Sequence, residues 1–299
     1  MSNLKSEEMV FCFVILHFGD VGITNDCLRS ICSLHRPGQV SLVIVDNELA
    51  KDEESRVDEL DFETGDLPFK LVRIYEDGGF SYANNVGYLV AKKDFGANTI
   101  IICNNDITFT DEKLLDKLCI RADQGFDVIG PAVIHAGSGK HQNPLDLEER
   151  SIADLNKTII LNRIGLFLFP FVYPILYWSE CRRKNRWLNS SEENVELDET
   201  GAALNIVLFG ACLIFMPPFV KNETKAFSPE THFYYEEYIL YHRCMSDGYT
   251  TAFCPEMSCL HESGKSTASS FSNRKKKMRF EMSQIASACA VYKKMLISI

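Results

Sequence analysis

Residues 99–106 have the sequence TIIICNND, and residues 40–47 have the sequence VSLVIVDN. Each is an apolar, β-branched run followed at once by polar side chains. Residues 10–16, VFCFVIL, form a third apolar run of the same kind. Runs of this length without alternation are typical of strands that are buried on both faces, as in parallel sheets. The three stretches therefore predict the central strands of a largely parallel sheet.

Helical segments alternate with these strands. Thr24 is expected to cap a first helix, and Ser81 is expected to open a second helix that runs to Ala91. A further strand is predicted over residues 69–74, followed by a glycine-rich loop at residues 76–80. The order β-α-β-β-α-β predicts an α/β fold in which helices cover an open, parallel-rich sheet. In such sheets ligands bind beyond the carboxyl ends of the strands.

Composition limits the class of protein. The chain has 299 residues, 46% of them apolar and 24% charged, which is the balance of a globular protein and excludes a disordered, fibrous or polytopic membrane chain. Its formal charge of −10 argues against general nucleic-acid binding, which needs a basic face. The eleven cysteines form no C-x-x-C pair and the N-terminus resembles no secretory signal, so we expect a cytoplasmic protein without a disulfide framework or a zinc site.

Three common catalytic or nucleotide-binding motifs are missing. No G-x-G-x-x-G follows the first strand, and no G-x-S-x-G elbow occurs. Residues 264–266, GKS, resemble the end of a P-loop, but Cys259 stands where that motif needs its first glycine.

Two acidic residues follow predicted strands. Asp46 could accept hydrogen bonds from a nucleotide base or ribose, or it could simply form a turn. Asn104, Asn105 and Asp106 follow another strand, and a carboxylate beside carboxamides suits a divalent cation that also binds diphosphate oxygens. Asn-Asp pairs are also common in turns, so the motif alone is a weak signal. The stronger signal is that Asp46 and Asp106 should both lie at the same edge of the sheet.

A second informative block lies in residues 208–266. An apolar strand predicted at residues 209–216 begins with small residues, including Gly210, that allow a ligand or backbone to approach closely. Glu236 and Glu237 then enter a helix after an aromatic run. They could interact with the helix dipole, or one could act as a general base. His261 follows a strand predicted at residues 250–254, and a lone histidine is more often structural than a ligand.

Taken in order, these motifs carry a resemblance that extends over residues 10–270. The set resembles the family-two glycosyltransferases of GT-A fold, of the rhamnosyltransferase-like group. It comprises residues 43–47 (VIVDN), 79–87 (GFSYANNVG), 104–106 (NND), 130–131 (GP), 139–144 (GKHQNP), 209–212 (FGAC), 235–237 (YEE), Arg243, 248–249 (GY), His261 and 264–267 (GKST). The implied fold is a Rossmann-like central mixed sheet flanked by helices, with a C-terminal region on the acceptor side.

The resemblance implies inverting transfer of a sugar from a nucleotide-sugar to an acceptor hydroxyl. Glu237 would be the catalytic base, and Asp106, with His261 as a further candidate, would hold Mg²⁺ or Mn²⁺ on the diphosphate. The substrate-binding positions would be Asp46 at the base or ribose, together with Gly79, Asn84, Asn85, Asn104, Gly210 and Glu236.

Two positions depart from the family's pattern. Asn104 stands where the metal motif often has a first acid, which leaves Asp106 as its carboxylate. Glu237 stands where the base is more commonly aspartate, so the carboxylate extends one methylene further.

The implied domain organisation is one glycosyltransferase domain at residues 1–270 and a basic C-terminal helix at residues 271–299. Within the domain we expect a nucleotide-sugar half at about residues 10–135, an insertion at about 150–200 and an acceptor half at about 200–270.

The insertion contains an unbroken apolar segment at residues 164–178. As a helix it would be about 22 Å long, shorter than the roughly 30 Å core of a bilayer, and it contains Pro170 and Pro174. It is either core or an interfacial element. Together with the basic tail it suggests peripheral attachment to an anionic membrane surface, the inner face of a bacterial membrane, where a glycan or lipid-linked glycan acceptor would lie.

Two other classes of protein remain open at this point. A nucleotide-sugar or carbohydrate-binding subunit could keep the fold without turnover, given the single carboxylate of the metal motif. A nucleotidyltransferase would use a similar sheet, although its glycine-rich, basic phosphate loop is not visible near the N-terminus.

Overall fold

The computed structural model describes residues 8–34, 38–47, 61–76, 78–189, 195–262 and 273–298. Motif residues 264–267 lie outside these ranges, as do residues 48–60. The described residues form a mixed sheet with the strand order β3-β2-β1-β4-β8-β6-β9-β5, and β7 pairs with β9. The strands are β1 (Phe11–His17), β2 (Val40–Asp46), β3 (Phe69–Arg73), β4 (Thr99–Asn104), β5 (Ile107–Phe109), β6 (Val128–His135), β7 (Ala203–Leu204), β8 (Cys212–Phe215) and β9 (Thr251–His261).

The predicted parallel unit is present. β1 pairs in parallel with both β2 and β4, and β2 pairs in parallel with β3, whereas β8 joins the sheet antiparallel to β4. Helices cover both faces: α1 (Val21–Cys32), α2 (Gly79–Asp94), α3 (Leu114–Ala122), α4 (Ile152–Phe167), α5 (Phe169–Asn189), α6 (Pro217–Asn222), α7 (Glu236–Asp247) and α8 (Arg274–Ile297). The α/β class with a central mixed sheet flanked by helices is confirmed.

The core divides into two layers because side chains of buried strands alternate between faces. Phe13 and Ile15 of β1 pack with α1 and α3, whereas Cys12 and Val14 pack with α2. Every residue of β2 is buried. Nine of the eleven cysteines are buried as well, the exceptions being Cys32 and Cys181. They therefore contribute to the apolar interior as small hydrophobic side chains.

Several predicted boundaries were wrong. α1 begins three residues before Thr24 and is capped by Asp20, whose Oδ1 accepts the Gly22 N–H at 2.8 Å. α2 begins at Gly79, two residues before Ser81. The strand predicted at residues 209–216 is the shorter β8, and the strand predicted at residues 250–254 continues as β9 to His261. Composition alone did not reveal this continuation, which depends on pairing with β5 and β6.

Helices α4, α5 and α8 form a separate helical layer, in which α4 packs along α8. Gly165 of α4 lies against α8, since a Cβ there would come within 2.4 Å of Met282 Cε. Burial of residues 164–178 in the core is excluded for most of the segment, because Phe167 and Phe171 are 84% and 82% exposed. Among the described helices, none combines the length and the hydropathy needed to cross a membrane.

Candidate active site

Asp46 lies at the carboxyl end of β2, as the sequence predicts. The parallel register places it beside His17 of β1 and beside Arg73 of β3. Its carboxylate is buried, and Oδ2 lies 3.9 Å from Arg73 Nε. A carboxylate at the end of a sheet strand can accept hydrogen bonds from a polar ligand.

Asp106 and His261 are brought together by strand register. β5 pairs antiparallel with β9, and Ile107 stands opposite His261. Asp106 directly precedes that pair, so its Oδ1 lies 3.3 Å from His261 Nε2, and both residues are buried. The other ring nitrogen, Nδ1, lies 2.8 Å from Gln142 Oε1, which fixes the orientation of the imidazole.

This pair has the chemistry of a partial divalent-cation site. Asp106 Oδ1 is a buried carboxylate oxygen that accepts no hydrogen bond from the described residues, and His261 Nε2 faces it. Two ligands of one octahedral ion, each at about 2.1 Å, are about 3 Å apart, close to the separation seen here. The described residues contain no cluster of three or more metal-ligating side chains. The pair therefore fits an ion whose remaining ligands come from diphosphate oxygens and water.

The carboxamides next to Asp106 differ in their surroundings. Asn105 is buried, and its Nδ2 donates to Phe18 O at 3.1 Å and to Thr24 Oγ1 at 2.9 Å. Thr24 Oγ1 in turn lies 2.7 Å from His17 Nδ1. Asn105 thus fixes the turn that presents Asp106, whereas the neighbouring Asn104 is partly exposed at the end of β4.

Gly79 allows two loops to approach closely. Its φ is +72°, and a Cβ there would lie 2.1 Å from His232 O. The next residue, Phe80, donates its N–H to the same carbonyl at 2.8 Å. The glycine therefore joins the start of α2 to the loop that leads into Glu236 and Glu237.

The two asparagines of α2 have different environments. Asn84 is fully buried, its Nδ2 donates to Phe80 O at 3.0 Å, and its Oδ1 has no partner among the described residues. The Asn85 amide exchanges two hydrogen bonds with the main chain of Phe227, at 2.8 and 2.9 Å. The Asn85 amide thus helps to hold α2 in place, and its predicted contact with substrate stays a prediction.

Glu236 and Glu237 form the first turn of α7, which follows two residues with left-handed backbone, Tyr234 (φ 70°) and Tyr235 (φ 65°). Burial raises the pKa of the Glu237 carboxyl, although hydrogen bonds from its own N–H and from the Gly210 N–H oppose that rise. Burial, with the neighbouring Glu237 charge, raises the pKa of Glu236 still more strongly. Both residues keep some exposure to solvent while their carboxylates are enclosed.

Gly210 lies directly against Glu237. A Cβ at residue 210 would come within 2.8 Å of Glu237 Oε1. Any larger residue would displace the carboxylate, so the glycine and its N–H together set the position of Glu237.

Residues 209–211 contact both the Asp106–His261 pair and Glu237. The ring of Phe209 contacts His261, with centroids 5.8 Å apart, and Ala211 O accepts the N–H of Asn104. Gly210 contacts Glu237. A cavity of about 720 Å³ adjoins Glu237 and is walled by α4, α5 and α8, and a second, of about 210 Å³, adjoins Asp106. These two cavities share no lining residue.

Three residues with positioning contacts were not among the predicted site residues. Gln142 orients His261, and the main-chain carbonyl of His232 lies directly against Gly79. Asn143 is buried, donates to Pro131 O at 2.7 Å and accepts the Phe209 N–H at 3.0 Å, so it holds residues 209–211 in place. Gln142 and Asn143 belong to the GKHQNP stretch, whose polar residues were the available signal.

No protein-family model matches the sequence, and no curated protein matches it significantly. Solved structures match its fold. The mannosyltransferase PcManGT from Pyrobaculum calidifontis, solved with GDP-Man and Mn²⁺, superposes with a TM-score of 0.53 at 12% identity, covering 96% of this chain and 75% of that chain. TarS 1–349 of S. aureus, solved with UDP-GlcNAc, superposes with a TM-score of 0.50 at 12% identity, covering 92% of this chain and 64% of that chain.

This chain therefore spans less than two thirds of the length of TarS 1–349. At identities of this order, structural similarity establishes the fold but does not identify the reaction. The reaction has to be inferred from the residues of the site. The chain has the fold of the GT-A-type glycosyltransferases, as the sequence motifs predicted.

Proposed function

We propose that this protein is a metal-dependent, inverting glycosyltransferase that moves a sugar from a nucleotide-sugar to a hydroxyl of a glycan or lipid-linked glycan. The observation that carries the proposal is that residues 209–211 contact two chemically different groups of side chains. One is the Asp106–His261 pair and the other is the enclosed Glu237 carboxylate.

The donor side would use the carboxyl ends of β2 and β4. Asp46 would accept hydrogen bonds from the base or ribose, and Gly79, Asn84 and Asn104 would line the donor pocket. Asp106 and His261 would hold Mg²⁺ or Mn²⁺. When bound, that ion stabilises the negative charge of the leaving nucleoside diphosphate.

The acceptor side would use Glu237 as the base. The acceptor oxygen attacks the anomeric carbon from the face opposite the diphosphate, and its proton passes to Glu237. The bond from the anomeric carbon to the phosphate oxygen breaks, and its electron pair leaves with the diphosphate. A carboxyl whose pKa is raised by burial is a stronger base once it is ionised, which supports this role. The Gly210 N–H would hold the carboxylate, and Glu236 would line the acceptor pocket.

The finer parts of the proposal concern specificity and context. We propose a hexosyl or rhamnosyl donor, a role in bacterial surface polysaccharide synthesis and a cytoplasmic location. The motif order supports the first two, and the many free cysteines, most of them buried, suit a reducing compartment and so support the third.

A thermal-shift screen followed by a transfer assay tests the proposal. UDP-, GDP- and dTDP-sugars with Mn²⁺ are added to the wild type, and the matching donor is expected to raise its melting temperature, since a ligand that binds the native state stabilises it. Hydrolysis or transfer of that donor is then measured for the wild type and for Glu237→Gln. Binding without turnover in the wild type, with every donor and acceptor, would instead indicate a binding subunit.

A further inference from the structure

The helical layer carries exposed apolar side chains on two consecutive helices. Large side chains recur at intervals of three or four residues, first along α4 and then along α5: Ile160, Ile164, Phe167, Phe171, Ile175 and Trp178. These six residues are called here the apolar stripe, and all of them are exposed. The three residues on each helix share one face of that helix. The chain bends sharply between the two helices, because a Cβ at Gly165 would lie 3.9 Å from Leu176 Cδ1, whereas residues eleven apart in a straight helix are about 16 Å apart.

The opposite face of these helices is already packed. Leu155 and Phe169 are buried, and Gly165 lies against Met282 of α8. The apolar stripe is thus not the side that attaches the helices to the rest of the described protein. Contiguous exposed apolar surface of this kind marks an interaction site.

The two helices that carry the stripe, together with α8, are strongly basic. α4, α5 and α8 together contain thirteen basic and three acidic residues in a chain whose formal charge is −10. Several cations stack on aromatic rings: Arg182 lies 4.5 Å from the Trp178 ring centroid, Arg274 lies 4.7 Å from that of Tyr177, and Lys275 lies 5.0 Å from that of Tyr173. Aromatic rings and long basic side chains beside an apolar face are typical of helices that lie in a membrane interface.

We infer that the apolar stripe and the basic residues flanking it dock on an anionic phospholipid bilayer. The apolar residues enter the boundary between headgroups and acyl chains, while the cations of α5 and α8 contact lipid phosphates. Charge complementarity favours this partner over a second copy of the chain, because two like helical layers, each strongly basic, would repel one another. The negative surface potential of the bilayer repels the acidic remainder of the protein, which therefore faces away from the lipid.

Docking has a consequence for the cavity next to Glu237, and this one step rests on the proposed function. The cavity is walled by the same three helices, and Leu161 of α4 both lines it and is exposed. An acceptor carried on a lipid would reach Glu237 from the bilayer side.

Flotation with liposomes tests the docking. The full chain is mixed with vesicles of phosphatidylcholine alone or with about one third phosphatidylglycerol, at low and high salt, and its membrane-bound fraction is measured. We expect binding to the anionic vesicles that salt weakens. Phe167→Ser with Phe171→Ser should lower the partition coefficient by about tenfold or more. Arg182→Glu with Lys276→Glu should lower it by about fivefold or more for each charge reversed.

Matched controls come from other surfaces of the protein. Ile120→Ser replaces an apolar side chain of α3 that is 65% exposed, and Lys93→Glu reverses an exposed charge on α2, so both should float like the wild type. Equal melting temperatures exclude unfolding as the cause of lost binding.

If the stripe variants float like these controls, or the wild type stays unbound at low salt, the inference is wrong. A concentration-dependent dimer in sedimentation that Phe167→Ser and Phe171→Ser abolish would assign the stripe to a second copy and overturn it as well. Because flotation needs no turnover, an inactive protein that binds would reject the proposed function and leave the docking intact.

Discussion

The two halves of the candidate active site are built in different ways. Asp106 and His261 meet because two strands pair in one register, and the residues that hold them lie on the sheet or next to it. Glu237 stands at the start of a helix that is reached through two left-handed residues, and its cavity is walled by helices from distant parts of the chain. The half proposed for the donor is therefore set by strand pairing, and the half proposed for the acceptor by packing between helices.

This difference leads to separate expectations for the two halves. Substitutions on the Asp106 side should alter metal and donor binding, and substitutions on the Glu237 side should alter the chemical step while leaving donor binding intact. Four predictions, ordered from the largest expected effect, test that separation.

Replacing Glu237, the proposed base, should have the largest effect. We expect Glu237→Gln to lower kcat by a factor of about 10² to 10⁴, the usual contribution of general base catalysis, with donor binding unchanged in thermal shift. In the wild type, burial raises the pKa of Glu237, and the base acts when ionised, so the rate should rise with pH through an apparent pKa above the ordinary glutamate value. Loss of donor binding in this variant would show that the two halves are not separable.

Gln142→Ala tests the metal side through the residue that orients His261. Removing such an outer partner typically lowers metal affinity or activity by about 10- to 100-fold. The activity lost at low Mn²⁺ should return as Mn²⁺ is raised, which a general packing defect would not allow. Gln124→Ala, which removes an amide that contacts Arg121, provides a control of the same type.

Two glycines with positive φ test the contact that joins the halves. Gly96→Ala introduces backbone strain alone, because no atom lies within 4 Å of the new Cβ, and should cost about 1 kcal/mol of unfolding free energy. Gly79→Ala adds a clash with His232 O and should cost more than about 3 kcal/mol, measured by denaturant unfolding. If both variants lose the same unfolding free energy, the contact between Gly79 and His232 contributes nothing to stability.

The smallest expected effect is on stability. Burial and the neighbouring Glu237 charge raise the pKa of Glu236, so the cost to folding grows as the pH rises above the ordinary glutamate pKa of the unfolded chain. Below that pH both states are protonated, and the residue has no effect on stability. Glu236→Gln should raise the melting temperature near pH 7 by about 2–4 °C, the shift produced by roughly 1 kcal/mol, and the gain should disappear as the pH falls toward 4. A gain that persists at low pH would assign the effect to packing.

The sequence was sufficient where local pattern determines structure. Continuous apolar runs predicted β1, β2 and β4, and the polar residues directly after them predicted which end of the sheet carries Asp46 and Asp106. The helix that begins at Glu236 was also predicted correctly, because the change from aromatic to acidic residues is a local signal.

The sequence was insufficient where structure depends on distant contacts. The start of α1 was misplaced because Thr24 is used by His17 and Asn105, partners that no local pattern reveals. The engagement of Asn85 with Phe227 spans 142 residues. The wall of the large cavity joins α4 and α5 to α8, and this packing decides that the apolar segment faces outward.

The separate linings of the two cavities have a practical consequence for redesign. Under the proposed function, the side chains that would face an acceptor lie on α4, α5, α7 and α8, none of which contributes to the pocket next to Asp106. Exchanging those helical side chains should then change which alcohol is accepted without altering nucleotide binding. Residues 209–211, which contact both His261 and Glu237, should be kept in such an exchange.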